Sequence, residues 1–241
     1  MTSTDPSTVQ ANLNEYWTAR SAPYDEYQER PERREADRAA WTDIWRDALP
    51  AAPADVLDVG TGSGYVARVI ADLGHRVVGT DLAEGMLGRA RQHAERMTNP
   101  PRFERGDAVA PDFPAGSFDA VVNRYVMWTL RDPAQALTRW HELLRDGGVL
   151  AVVDSTWFPQ GLHTGASPEF ARLYDEQVRQ SLPLAEATSI DATVAAVEAA
   201  GFDQVTATPL TRMLELDQRY GVAPNHEVQV QHLITGRARK S

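Results

Sequence analysis

The sequence predicts an α/β fold: a doubly wound, mostly parallel sheet with a helical segment ahead of it and a small cap after its fifth strand. Three observations carry this. From residue 55 to 154, short apolar runs alternate with amphipathic helical stretches, the rhythm of a parallel sheet with helices on both faces. The first run, Val56-Leu57-Asp58-Val59, enters a turn reading Gly60-Thr61-Gly62-Ser63-Gly64 and then helical sequence. A second run, Val77-Val78-Gly79-Thr80, ends in Asp81, so that strand, glycine turn, helix and acid-tipped strand follow in immediate succession.

The elements follow in order. Residues 1–10 are polar and are expected to be disordered. From Leu13 to Leu49 the pattern is helical and charge-rich, with Trp41, Ile44, Trp45 and Leu49 at three- and four-residue spacing, an apolar face to lay on a sheet. Pro50 and Pro53 end it. Strands are expected at 55–60, 76–81, 102–107, 118–123 and 148–154, with helices at 65–73, 83–97 and 133–145. After Asp154 the rhythm breaks. Residues 155–188 carry Trp157, Phe158, His163 and three prolines, with a helical stretch near 169–181. A helix capped by Ser189 or Asp191 ends at Gly201, followed by a strand over 205–210, an irregular stretch over 211–225, and a last strand over 227–235. The chain is one domain in four parts: N-terminal helices (1–50), core (51–154), cap insert (155–188) and C-terminal helix and strands (189–241).

Composition narrows the class. A chain of 241 residues with 42% hydrophobic content suits one sizeable domain. No cysteine is present, which excludes disulfides, thiolate nucleophiles and cysteine metal sites. No apolar run approaches the roughly 20 residues that span a bilayer, and the first residues lack a basic-then-apolar leader pattern, so a cytoplasmic protein is expected. The formal net charge of −10 and the lack of a basic stripe argue against a nucleic-acid partner; Arg237-Ala238-Arg239-Lys240 is a short solvated tail.

The glycine turn points to a nucleoside-bearing cofactor, with Asp81 placed to accept from ribose hydroxyls. Asp58, two residues before Gly60, would repel a pyrophosphate. S-adenosylmethionine (SAM) has no phosphate and carries an ammonium and a sulfonium, which an acid beside the turn suits. The glycines alternate as G-x-G-x-G, whereas dinucleotide sites use G-x-G-x-x-G.

In these residues the chain resembles the class I SAM-dependent methyltransferases. The resemblance extends through Gly106-Asp107-Ala108, Phe118 to Val122, and Leu144-Arg145-Asp146-Gly147-Gly148-Val149-Leu150, in the family's order over about residues 50–155. Trp128-Thr129-Leu130-Arg131-Asp132-Pro133 is similar to a phrase of the UbiE-like (methyltransferase type 11) small-molecule branch from secondary metabolism, with Arg131 where proline is usual. Tyr16-Trp17-Thr18-Ala19-Arg20-Ser21-Ala22-Pro23-Tyr24-Asp25 resembles an opening found in many of these enzymes, with Ser21 where alanine is usual.

The resemblance implies a Rossmann-like, seven-stranded sheet whose last strand runs antiparallel between strands five and six, and an N-terminal lid over bound cofactor. It implies that Gly60, Thr61, Gly62 and Gly64 approach the methionine end of SAM, with Asp58 beside them. Asp81 would hold the ribose, and Leu82 and Met86 would lie against adenine. Asp107 would accept from the adenine amino group, with the Ala108 amide beside it. Tyr16 and Tyr24 would reach the methionine carboxylate or the sulfonium. Asn123 and Arg124 end strand four, where the methyl group emerges; Arg124 holds the cofactor loop, binds an acidic substrate, or pairs with a neighbouring acid.

Methyl transfer from a sulfonium needs mainly positioning and exclusion of water, with a general base only where the acceptor must lose a proton. No metal is required. His163, in the cap insert, is the candidate base, and His226, before the last strand, the second. Tyr125, Trp128, Asp154 and Trp157 are candidate acceptor contacts. The expected activity is methylation of an oxygen or nitrogen of a small, aromatic or heteroaromatic molecule, yielding S-adenosylhomocysteine, by a monomer or homodimer. Carbon methylation, a non-catalytic SAM-binding regulatory subunit and an NAD-dependent oxidoreductase are the alternatives.

Overall fold

The computed structural model describes residues 6–164, 167–223 and 227–239. Among them seven strands form one sheet: β1 (Asp55–Val59), β2 (Arg76–Asp81), β3 (Arg102–Arg105), β4 (Phe118–Arg124), β5 (Leu144–Asp154), β6 (Phe202–Pro209) and β7 (His232–Ala238), in the order β3-β2-β1-β4-β5-β7-β6. The first five pair in parallel, and β7 runs antiparallel to both β5 and β6. Because β1 lies between β2 and β4, the chain reverses its direction of travel across the sheet there, opening a crevice at the carboxyl ends of β1 and β4.

Alternate residues of each strand feed the two faces. Val56, Val122 and Val153 meet Trp41 and Trp45 of α2 (Pro31–Ala48), Val69 and Ile70 of α3 (Tyr65–Asp72), and Leu87 of α4 (Glu84–Ala94). Leu57, Val121 and Val152 meet Leu137 and Trp140 of α5 (Pro133–Leu143) and Val197 of α8 (Asp191–Ala199). Leu57, Ile70 and Leu87 are wholly buried, each burial worth roughly 1.5–3 kcal/mol. A third cluster joins Val9 and Leu13 of α1 (Pro6–Gln28) to Trp128 and to Phe170 and Tyr174 of the cap, which holds α6 (Pro168–Leu173) and α7 (Glu176–Gln180).

Several expectations are corrected. Residues 6–10 are helical, because Val9 finds a partner in the cap; residues 1–5 lie outside the described residues. The helical stretch from Leu13 to Leu49 breaks before Pro31, which takes the first position of α2. The cap helix near 169–181 splits, and Asp175 caps the second half by accepting from the Val178 amide. Residues 211–220, expected to be irregular, form α9 (Thr211–Tyr220), which packs on α2. Its buried face includes Asp217, a charge that interrupts the apolar period. The last strand starts at His232 because its partner β5 stops at Asp154, directly opposite. No helix of the described residues is long and apolar enough to cross a membrane.

Candidate active site

The turn after β1 is built by hydrogen bonds that its sequence anticipates. Gly60 adopts φ +64°, and a Cβ there would lie 2.6 Å from Val126 Cγ2, so only glycine lets the turn pass this side chain. The Thr61 amide donates to the Thr80 carbonyl at 2.9 Å, and Thr61 Oγ1 donates to Asp58 Oδ2 at 2.6 Å. Asp58 is 1% exposed and lies beneath the turn, and burial pushes its carboxyl up to about 7. It lines neither of the two cavities described below, so its expected place beside a ligand's ammonium becomes support of the loop through Thr61. Gly64 packs against Phe103 and Ala90, also away from the cleft wall.

A narrow cleft opens over this turn, bounded by Gly60, Gly62, Asp81, Leu82, Met86, Asp107 and Ala108 and roofed by Gln10, Leu13, Asn14 and Trp17 of α1. Asp81 takes the Gly62 amide on Oδ2 at 2.9 Å and the Ala83 amide on Oδ1 at 2.8 Å. Each oxygen keeps a lone pair for the cleft. Burial raises the Asp81 pKa, and these amides oppose the shift. Space above Gly62 is open, with nothing within 4 Å of a Cβ placed there. An acceptor carboxylate, an open backbone turn and apolar walls from Leu82 and Met86 fit the ribose, methionine and adenine parts of SAM. Asp107 Oδ1 accepts from the Val109 amide at 2.9 Å, and Oδ2 pairs with Arg131 at 2.6 Å. Arg131 is thus a cleft residue, although in the sequence it reads only as a substituted turn proline.

A second cavity of about 620 Å³ adjoins the cleft, and the two share Trp17, Tyr24, Arg124 and Tyr125. Tyr125, Trp128 and Trp157, the candidate acceptor contacts, line it, with Trp41, Phe158 and Phe170 beside them. The ring of Tyr125 meets Trp157 edge-on at 4.8 Å between centroids. Tyr125 sits at φ 65°, a conformation costly for an aromatic residue, at the strand end where the two cavities meet. Its hydroxyl donates to Gln231 Oε1 at 2.5 Å, Gln231 Nε2 donates to Asp217 Oδ2 at 2.9 Å, and Arg33 bridges Asp217 and Asp37 at 2.6 and 2.7 Å. This network, spanning α2, α9 and the segment before β7, was not visible in the sequence because its members are far apart along the chain.

Other expected positions differ. Tyr24 reaches the shared wall, and burial raises its phenol pKa. Tyr16 lines the second cavity only, edge-on to Phe170 and Tyr174. Asn123 is wholly buried and lines neither cavity. Asp154 is also buried, pushed up to about 7 by burial, and accepts from the Ser155 amide and the Trp157 indole, so it positions Trp157 and does not touch the cavity. His163 is exposed, bonded to the Tyr174 carbonyl, and lines neither cavity; it is not placed to serve as a base. His226 lies outside the described residues.

Residues 57–152 match a family model described as "Methyltransferase domain". These residues form a methyltransferase domain. The domain is 38% identical over 116 residues to the demethylmenaquinone methyltransferase of Thermus thermophilus, which covers 47% of this chain and 53% of that protein. It is 32% identical over 185 residues to a probable S-adenosylmethionine-dependent methyltransferase of Mycolicibacterium smegmatis, with 75% and 65% covered. The chain spans about half the length of the first curated relatives it matches. A methyltransferase structure from Mesorhizobium loti superposes with a TM-score of 0.57 at 23% identity, covering 84% of this chain and 99% of that one, a likeness of fold.

Proposed function

We propose that this chain binds SAM in the cleft over the glycine turn and methylates an oxygen or nitrogen of a small aromatic or heteroaromatic molecule held in the adjoining cavity. The observation that carries the reading is Asp81, whose two oxygens are fixed by the Gly62 and Ala83 amides at the floor of a cleft walled by Leu82 and Met86. The carboxylate accepts from the ribose hydroxyls, and its charge disfavours a phosphate there. Asp58 serves the same end from below by holding Thr61 and with it the turn.

When bound, SAM supplies an electrophilic methyl group with a good leaving group already in place. The chain's own residues then orient the acceptor and keep water away. Trp17, Tyr24, Arg124 and Tyr125 form the wall common to both compartments, so the acceptor atom and the methyl group meet beside them. Holding two reactants in line is worth several orders of magnitude in rate without any proton transfer. The aromatic lining of the larger cavity favours a flat acceptor. Helix α1 acts as the lid and the segment after β5 as the cap.

Calorimetric titration tests this reading. SAM is expected to bind the wild-type chain at micromolar or lower Kd, and Asp81→Ala to weaken it at least about tenfold, the loss of a charge-assisted hydrogen-bond pair. Absence of SAM binding by a folded sample overturns the proposal, and binding of NADH in its place would make the protein an oxidoreductase.

A further inference from the structure

We propose that the acceptor is a planar carboxylic acid, gripped by Arg124 at the boundary of the two cavities, and that the methyl group goes to its carboxylate oxygen. This rests on the methyltransferase reading above and adds the chemical class of the acceptor.

The first ground is a cation with no carboxylate at ion-pair distance. Arg124 closes β4 and lines both cavities. Its guanidinium lies 4.9 Å from the ring centroids of Trp41 and Tyr65 and 4.8 Å from that of Tyr125. Its Nη2 donates to the neutral Gln28 Oε1 at 2.7 Å, with the Tyr24 hydroxyl also in contact. Arg33, on the wall of the same cavity, pairs with two carboxylates; Arg124 has none within 4.0 Å among the described residues. Arg124 is half-buried and stays charged; Asp37 and Asp58 act on it only beyond ion-pair distance, so the guanidinium has no direct ionic partner and is placed to receive an anion. Of the four acids lining the cavity, Asp37 and Asp217 belong to Arg33, while Glu26 and Glu227 are exposed to solvent.

The second ground is place. An anion on Arg124 sits at the wall shared with the cofactor cleft, which brings its oxygens towards the methyl donor, while the rest of the molecule extends between Trp128, Trp157 and Phe158. The fork of the guanidinium matches a carboxylate.

The third ground is the proton inventory. No histidine is among the described residues lining either cavity, and the Tyr125 hydroxyl is committed to Gln231, burial raising its pKa. A carboxylic acid is already ionised at neutral pH and needs no base. The bond from methyl carbon to carboxylate oxygen forms as the carbon–sulfur bond breaks, the bonding pair returns to sulfur, and no proton moves. The products are a methyl ester and S-adenosylhomocysteine.

The test uses 2-naphthoate, 2-naphthamide and 2-naphthol as probes of equal shape. Binding is read by quenching of the cavity tryptophans in the full chain saturated with S-adenosylhomocysteine. 2-Naphthoate should bind at least tenfold tighter than either neutral probe. Arg124→Gln should erase that preference, and Arg124→Lys should keep only part of it. With SAM, 2-naphthoate should yield its methyl ester, at a rate flat from about pH 6 to pH 9 because the carboxyl, with a pKa of about 4, stays ionised throughout. Equal binding of acid and amide by the wild type overturns the proposal whatever the variants do. So does an acid preference that survives in Arg124→Gln, or a variant that loses SAM tenfold while keeping the preference, since Arg124 would then serve the donor's own carboxylate. A SAM titration of the same sample separates the two readings: SAM binding without acid preference removes only this inference. Acid preference without SAM binding removes the methyltransferase.

Discussion

Gly60 shows how one side chain can decide whether the cofactor turn forms. At φ +64°, with Val126 Cγ2 lying 2.6 Å from a prospective Cβ, Gly60→Ala meets both backbone strain and a collision. The strain alone costs about 1–3 kcal/mol. The variant should therefore lose stability by at least that amount in urea unfolding, and its SAM affinity should fall with it. Val126→Ala opens room for the new methyl but leaves the strain, so the double variant should recover part of the loss. Strict additivity in that double-mutant cycle would rule out the collision. Gly60 and Asp81 could be read in the sequence because the backbone and the ribose each demand one residue type at a fixed place in the turn. Tyr125 could be read as an acceptor contact, but its positive φ and the pairing of Arg131 with Asp107 could not, because both depend on how the strand ends are assembled.

Among the elements, α1 carries a specific consequence. It roofs the cleft through Gln10, Leu13, Asn14 and Trp17, yet it is pinned to the core by polar contacts. Asp25 meets His93 Nε2 of α4 at 2.9 Å, and Glu29, just past the end of the helix, meets Arg68 of α3 at 2.5 Å. Asp25→Ala should loosen α1 by about 1–3 kcal/mol, the cost of breaking a partly buried charge-assisted bond. Trypsin cleavage after Arg20, within α1, should then quicken several-fold, and added S-adenosylhomocysteine should slow it again by occupying the space under the helix. Unchanged cleavage, with or without ligand, would mean that α1 is not a lid. The helical character of this region was legible from the spacing of Trp41, Ile44, Trp45 and Leu49. Helix α9 was not, because Asp217 occupies a core-facing position where periodicity expects an apolar side chain. Only the partnership with Arg33 makes that burial tolerable.

At the scale of the whole molecule, buried carboxyls tie stability to pH. Asp58 and Asp154 are both pushed up to about 7 by burial, and Asp81 is raised for the same reason. In the unfolded chain each titrates near the ordinary value of about 4. Between about pH 4 and pH 7 the native state therefore binds more protons, so the stabilisation present below pH 4 is lost as pH rises to 7 and changes little beyond. The paired acids act in the opposite sense and on the acid side: Asp25, Asp43, Asp55 and Glu186 have lowered pKa values, and their contribution disappears as pH falls through the native values. Burial lowers the pKa of His75 and His232, which favours the native state as pH rises through the ordinary imidazole value. The carboxyls raised to about 7 span the wider pH range, and the net charge of −10 at pH 7 is largely neutralised near pH 5, so stability falls from pH 5 to pH 8. Differential scanning fluorimetry at constant ionic strength should give a Tm several degrees higher at pH 5 than at pH 8. Asp154→Asn separates burial from net charge, because the amide oxygen still accepts from the Ser155 amide and the Trp157 indole but cannot ionise. That variant should gain most at pH 8 and least at pH 5, flattening the profile. If its profile stays parallel to the wild type, Asp154 is not a titrating group, and the slope belongs to Asp58, Asp81 or the general charge of the surface.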